Sequence, residues 1–258
     1  MSWINHGTPA LFAVKGADAI RYINGQVTQD VRRVMGDNLA LSGCVLDVKG
    51  RVQFRVWMMK GPDDSLWIQG EADLADELEA RLEKYLIADD AEIERIEGWR
   101  LWHGIEEDEI PEQAVVFRAE RWGVAGQDVW LPDNDSFAPD LLLEGEKLED
   151  FRIRNRVPIW GAELVPGIFP QEAGLEDSDI SFHKGCYIGQ EVISRIKRAG
   201  KINRHLVSIT VVDDVRAGDN LLQPDGSIAG QVSSVSPFSE NGRRHALAYV
   251  KRGAEVAG

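Results

Sequence analysis

One segment concentrates the side chains that could do chemistry: His183-Lys184-Gly185-Cys186-Tyr187-Ile188-Gly189-Gln190-Glu191-Val192. Gly185 and Gly189 give the backbone freedom on both sides of Cys186. A helix is predicted from Gly189 to Arg198, so its partially positive N-terminus lies just beyond the thiol. Lys184, and His183 when protonated, add positive charge. All three effects favour thiolate, which points to thiol or redox chemistry at Cys186. The competing reading is a cysteine buried for packing. That reading is expected for Cys44, which sits in the apolar run Leu41-Ser42-Gly43-Cys44-Val45-Leu46.

Other chemistries find little support. There is no C-x-x-C and no H-x-x-x-H, and the five histidines are scattered, so no protein-only metal site is expected. An all-cysteine iron–sulfur cluster needs four thiolates, and this chain has two cysteines. G-x-S-x-G, G-x-G-x-x-G and G-K-[ST] are absent. No histidine nominates itself as a partner for Cys186. The eight tryptophans could stack on a planar ligand, although core packing is the default for each.

The elements that must position this segment are legible in outline. A short extended run at 7–14 precedes a helix to about Asn24, with Asp18 as its cap. Leu39 to Leu46 and Arg51 to Met59 read as a β-hairpin around Asp47-Val48-Lys49-Gly50, with Val52, Phe54, Val56 and Met58 on one face. A strand at Ser65–Gln69 leads to an amphipathic helix over Glu71–Ile87. Ala91 to His103 reads as one strand with a bulge at Gly98. Glu106–Pro111 is an acidic loop, with short strands at Ala114–Phe117 and Val129–Leu131. Lys147 to Val157 reads as a helix stopped by Pro158, and residues 158–182 as an ordered connection. The tail is all-β, with strands at Arg204–Val212, Ser227–Val235 and Arg244–Lys251.

The 258 residues carry a net charge of −14, which argues against general nucleic-acid binding. The charge is uneven. Residues 71–97 hold eleven acids against three bases, and 105–150 fourteen against three. Lys184 to Arg204 reverses this, with Arg195, Lys197, Arg198 and Lys201 among six bases against Glu191 alone. The strip is expected to be either a solvated helix face or an anion-binding surface. No apolar stretch approaches the ~20 residues of a membrane span. The first six residues lack a secretory pattern, and two cysteines make no disulfide framework, so a cytoplasmic protein is expected.

The Cys186 segment resembles the K-G-C-Y-x-G-Q-E signature of the YgfZ family of folate-binding proteins, related to the mitochondrial Iba57 and Caf17 proteins. Lys184, Gly185, Cys186, Tyr187, Gly189, Gln190 and Glu191 all fit it. Similar in order are Lys15–Ala19, Gly25-Gln26-Val27-Thr28-Gln29-Asp30-Val31, Leu46–Arg51, Ile159-Trp160-Gly161, Phe169–Ala173, Ser233–Pro237 and Ala246–Val250. The resemblance implies an α+β fold like that of the glycine-cleavage T-protein. Two α+β lobes (1–60 with 146–200, and 61–145) and a C-terminal small β-barrel module (201–258) would surround a central channel for tetrahydrofolate. It also implies an accessory factor for assembly or repair of iron–sulfur proteins, with client proteins or assembly factors as partners.

Cys186 would be the critical group and Lys184 would tune or position it. Tyr187, Gln190, Glu191, Arg195 and Arg198 would line the site or bind folate, the basic strip meeting its glutamyl carboxylates. The alternative is folate-dependent aminomethyl transfer. Such enzymes carry an acidic pair on the strand after the hairpin, and Gly50-Arg51-Val52-Gln53-Phe54-Arg55-Val56 holds no carboxylate there.

Overall fold

The computed structural model describes residues 2–106, 110–200 and 202–254. The centre of the expected acidic loop, 107–109, and Lys201 of the basic strip lie outside these described residues.

The chain opens with β1 (Ser2–Asn5), β2 (Ala10–Lys15) and helix α1 (Ala19–Gln26). A hairpin follows, β3 (Leu41–Leu46) and β4 (Val52–Lys60), then β5 (Leu66–Gly70) and helix α2 (Ala75–Glu83). Next come β6 (Glu92–Arg95), β7 (Trp99–Ile105), β8 (Val115–Ala119), β9 (Gly126–Pro132) and helix α3 (Gly145–Arg154). A short helix α4 (Glu176–Asp179) precedes α5 (Gln190–Ala199). The tail is β10 (Arg204–Val212), β11 (Asn220–Leu222), β12 (Ile228–Val235) and β13 (Arg243–Lys251).

Three antiparallel sheets result, with strand orders β3-β4-β5-β2-β6, β1-β7-β9-β8 and β10-β13-β12-β11. Alternation along the first sheet gives it two apolar faces. One face takes α1 and α2: Phe12, Val14, Val56, Met58 and Ile68 pack on Tyr22, Ile23, Leu78 and Leu82. At nine residues α2 is too short to persist alone. Burying Leu78 and Leu82, each worth ~1.5–3 kcal/mol, fixes it to the sheet. The other face, with Leu11, Trp57, Met59 and Trp67, packs on Leu101, Phe117 and Trp130 of the second sheet. The molecule is therefore layered helix, sheet, sheet, and the space between the sheets belongs to both.

Several expectations change. The span 91–103 is two strands in two sheets, not one bulged strand: β6 pairs with β2 while β7 pairs with β1 and β9. Gly98, at φ +82°, is the joint where the chain leaves one sheet for the other. The sheets also cross the expected 60/61 lobe boundary, because β5 and β6 complete the sheet of β2, β3 and β4. The β3–β4 register shifts after Val45, so Val52 joins a cluster with Cys44 and Leu46 rather than with Val56 and Met58. Asp18 occupies the α1 N-cap position without capping through its side chain, which instead accepts from Arg21 and the Asp90 N–H. The helix expected to reach Ile87 ends at Glu83, and Ile87 is exposed.

The connection 158–182 is a wall, not a tether. Leu164, Ile168, Ala173, Leu175 and Ile180 pack with Tyr187 and Ile193 beneath Cys44, Leu46 and Val52. This places the Cys186 segment against the end of the β3–β4 hairpin. The contact is close: Gly189 has φ +84°, and a Cβ there would lie 2.7 Å from the Asp47 carbonyl oxygen. Only glycine fits both the conformation and the space.

Between the sheets, away from that segment, Asp128 on β9 is fully buried with His103 Nδ1 at 2.9 Å and Arg121 Nε at 2.7 Å. Burial opposes its ionisation, but Arg121 and His103 outweigh burial and bring its pKa down to about 2. Its folded pKa is depressed, so the stability it contributes is present above the unfolded value of 3.8 and is lost as pH falls toward 2. Urea unfolding from pH 5 to 2 should show a loss on the order of 2 kcal/mol from this group. Asp128→Asn should flatten that part of the profile; an unchanged slope would refute the assignment.

Candidate functional site

The Cys186 thiol is exposed, while its neighbours Lys184 and Tyr187 are buried. Both ends of the segment are stitched to residues 24–29. The Ser181 N–H donates to the Thr28 carbonyl at 3.0 Å, and the Ile188 N–H to the Gly25 carbonyl at 3.1 Å. Lys184 supplies the centre: its Nζ donates to the carbonyl oxygens of Asn24, Val27 and Gln29 at 2.6, 2.8 and 2.7 Å. An ammonium has three protons, and all three are used. Of the two roles expected of Lys184, these bonds fit positioning. Its charge is committed to the end of α1 and the following turn, and it acts on Cys186 by holding the loop. Burial brings its pKa down to about 7.

The remaining predicted residues fall in different places. Tyr187 packs in the core beside Cys44, with burial raising its phenol pKa. Gln190 is the first residue of α5 and is half-buried. Glu191 and Arg195 pair with each other at 2.7 Å on the exposed face. Arg198 is also exposed, its Nε 3.3 Å from the Ser194 carbonyl oxygen. Lys197 pairs with Glu176, and Arg204 with Glu172 at 3.5 Å. Lys197 and Arg204 are thus met by carboxylates distant in sequence, and Arg195 by one within the strip.

Two cavities, of about 570 and 330 Å³, share Trp57 as a wall. The smaller lies within the ~300–1,000 Å³ range of small-molecule sites. Its aromatic walls are Trp57, Trp122 and Trp160; its polar groups include Arg55, Gln69, Glu71 and Arg121. The larger is rimmed by Arg33, Arg118, Glu120 and Asp177. Neither cavity is lined by Cys186, Tyr187, Gln190, Glu191, Arg195 or Arg198. The segment still adjoins the larger cavity through Gln29, whose carbonyl holds Lys184 and which lines that cavity.

Arg55 stands at the smaller cavity and reaches back to Asp179, donating at 2.8 Å from Nε and 3.1 Å from Nη2. Asp179 also accepts from Ser42 and Ser178, at 2.8 and 2.7 Å, and is fully buried. Cys44 lies within 4.0 Å of the same carboxylate, so it has a charged neighbour that its own strand conceals. Burial, reinforced by Asp179, raises the Cys44 thiol well above its ordinary value and keeps it inert. Across the cavity, the Arg121 guanidinium stacks on Trp57 at 4.1 Å.

The mitochondrial iron-sulfur cluster assembly factor IBA57 homolog of Pyricularia oryzae is 24% identical over 251 residues, covering 90% of this chain and 63% of its own length. The tRNA-modifying protein YgfZ of Escherichia coli O157:H7 is 28% identical over 227 residues, covering 78% of this chain and 69% of its own. The chain is a relative of the YgfZ and IBA57 proteins. No protein-family model matches it. The glycine cleavage system aminomethyltransferase T of Bartonella henselae superposes with a TM-score of 0.78 over 97% of this chain and 78% of its own, at 16% identity. The fold is accordingly that of the glycine-cleavage T-protein, α+β with several sheets. Two fungal IBA57 homologs extend well beyond this chain, which spans 63% and 53% of their lengths.

Among the described residues, no helix is long and apolar enough to cross a membrane, and no group of three or more His, Cys, Asp or Glu is placed to hold a metal. The cavities and the arginines within them escaped sequence reasoning. The available signal was charge beside aromatic residues: Arg55 lies between Phe54 and the Val56-Trp57 pair, and Arg121 precedes Trp122.

Proposed function

We propose that this protein is a tetrahydrofolate-binding accessory factor for assembly or repair of iron–sulfur proteins, acting through Cys186. The observation that carries this reading is an exposed thiol on a loop clamped by Lys184 and two backbone hydrogen bonds. A thiol so held keeps a fixed position for a client without paying a large ordering entropy on contact. The names of the relatives, one an iron–sulfur assembly factor and one a tRNA-modifying protein, support a maturation role. With Cys44 buried, Cys186 is the thiol this chain can offer, so a cluster it touches draws its other ligands from a partner. Two unpaired cysteines, one exposed, suit a reducing compartment such as the cytoplasm.

Folate has a fitting receptacle. The 330 Å³ cavity offers tryptophan faces for a bicyclic ring and polar groups for its edges. Aminomethyl transfer is disfavoured, because β4 carries no carboxylate and the nearby Asp179 is held by Arg55, Ser42 and Ser178.

Cells lacking the gene should lose activity of iron–sulfur enzymes, and the wild-type chain should restore it. Cys186→Ala and Cys186→Ser should fail to restore it while melting within a degree or two of wild type, since an exposed side chain contributes little to stability. Full rescue by both variants would remove Cys186 from the mechanism.

A further inference from the structure

Three carbonyls hold the Lys184 ammonium, and they are fixed in different ways. Asn24 belongs to α1, whose last turn orients its carbonyl. Val27 bridges to Val45 on β3, and its N–H donates to the Ile23 carbonyl at 3.2 Å. Thr28 continues along β3: its N–H donates to the Cys44 carbonyl at 3.0 Å, and its hydroxyl accepts from the Cys44 N–H at 2.8 Å. Gln29 comes next, where the chain leaves β3 for the short 3-10 turn Val31–Val34. Its carbonyl is the third acceptor, at 2.7 Å from Lys184 Nζ.

The Gln29 side chain anchors that carbonyl. Its Nε2 donates to the Ser178 carbonyl at 2.8 Å, and its Oε1 accepts from the Asp30 N–H at 3.0 Å. Both ends of the amide are used, so its orientation is unique. The residue is buried, and a Cβ built on Gly43 of β3 would lie 3.0 Å from the Gln29 Cβ, so the two are packed closely. Ser178 belongs to α4, and the Ser181 N–H just after α4 donates to the Thr28 carbonyl. The turn at 28–29 is therefore gripped by α4 on one side and by Lys184 on the other.

We infer that Gln29 is a positioning residue for Cys186 that acts through Lys184. Its amide fixes the third carbonyl of the clamp, and the clamp fixes the loop that carries the thiol. The effect of this in cells rests on the role proposed for Cys186 above; the effect on the loop does not.

The test is hydrogen exchange on the full-length protein, read by peptide mass. Gln29→Met keeps nearly the same volume and removes both amide bonds. Peptides covering 24–31 and 181–189 should exchange roughly tenfold faster, with the β10–β13 sheet at its wild-type rate. Lys184→Met should loosen 181–189 at least as much, and adding Gln29→Met to it should loosen that peptide no further. An unchanged 181–189 peptide, or equal acceleration of every peptide, would overturn the inference, the second by making Gln29 a residue of global stability. Single effects that multiply in the double variant would overturn the route through Lys184. In cells lacking the gene, Gln29→Met at wild-type protein level should restore iron–sulfur enzyme activity only in part. Full rescue with a loosened loop would overturn the positioning role and leave Cys186 in place. Rescue by Cys186→Ala would instead overturn the functional reading and the positioning role with it.

Discussion

Asp179→Ala should cost about 3–5 kcal/mol. The carboxylate is fully buried and accepts from Arg55, Ser42 and Ser178. Arg55 is itself only 14% exposed in its side chain, so removing Asp179 strands a cation with little access to water. A domain of ~5–15 kcal/mol total stability would lose a large part of it. The loss should appear as a lower urea midpoint. The double variant Arg55→Met with Asp179→Leu should lose less than the two single losses added, because no uncompensated charge remains. Simple additivity would show that the pair is not a coupled unit.

Glu163→Ala should cost somewhat less, about 2–4 kcal/mol. Glu163 is also fully buried, accepting from Arg152 at 3.1 Å, Ser234 at 2.6 Å and Ser233 at 2.8 Å. Arg152 keeps a second carboxylate, Glu149 at 2.6 Å, so it is not left alone. The difference between the variants lies in what comes loose. Arg152 belongs to α3, and both serines belong to β12, so Glu163 ties the C-terminal sheet to the rest of the chain. The Tyr249 hydroxyl adds a bond to the Glu163 carbonyl at 2.8 Å, which the substitution spares. Limited proteolysis should therefore speed up at the connection before β10 in Glu163→Ala, and not in Asp179→Ala. Equal cleavage in both would mean the C-terminal sheet is held elsewhere.

Elements whose pattern is local were readable in the sequence. The β3–β4 hairpin shows two-residue alternation around Lys49-Gly50, α5 lies between glycines, and β10 was bounded correctly at Arg204 and Val212. The Cys186 motif stood out because its residue types are unusual together. What escaped was pairing at a distance. Arg55 and Asp179 are 124 residues apart, and no local pattern marks either as the other's partner. Lys184 was assigned to Cys186 because they are neighbours in the chain. Its actual partners are backbone carbonyls, which carry no residue identity to read. The cavity was hidden for a related reason: tryptophans facing a cleft and tryptophans facing a core have the same spacing.

The Lys184 clamp also sets an order in time. Its three acceptors lie 155 to 160 residues upstream, and the Thr28 hydroxyl meets the Asp179 carbonyl across 151. On a ribosome, the segment 24–29 waits for most of the chain to emerge before its clasp arrives. Contacts of such separation form slowly, because a long loop must close first. The hairpin and α1 assemble early, and the Cys186 loop docks onto them late. Until then the thiol is on an unstructured chain, so a fixed Cys186 loop marks a finished molecule rather than a nascent one.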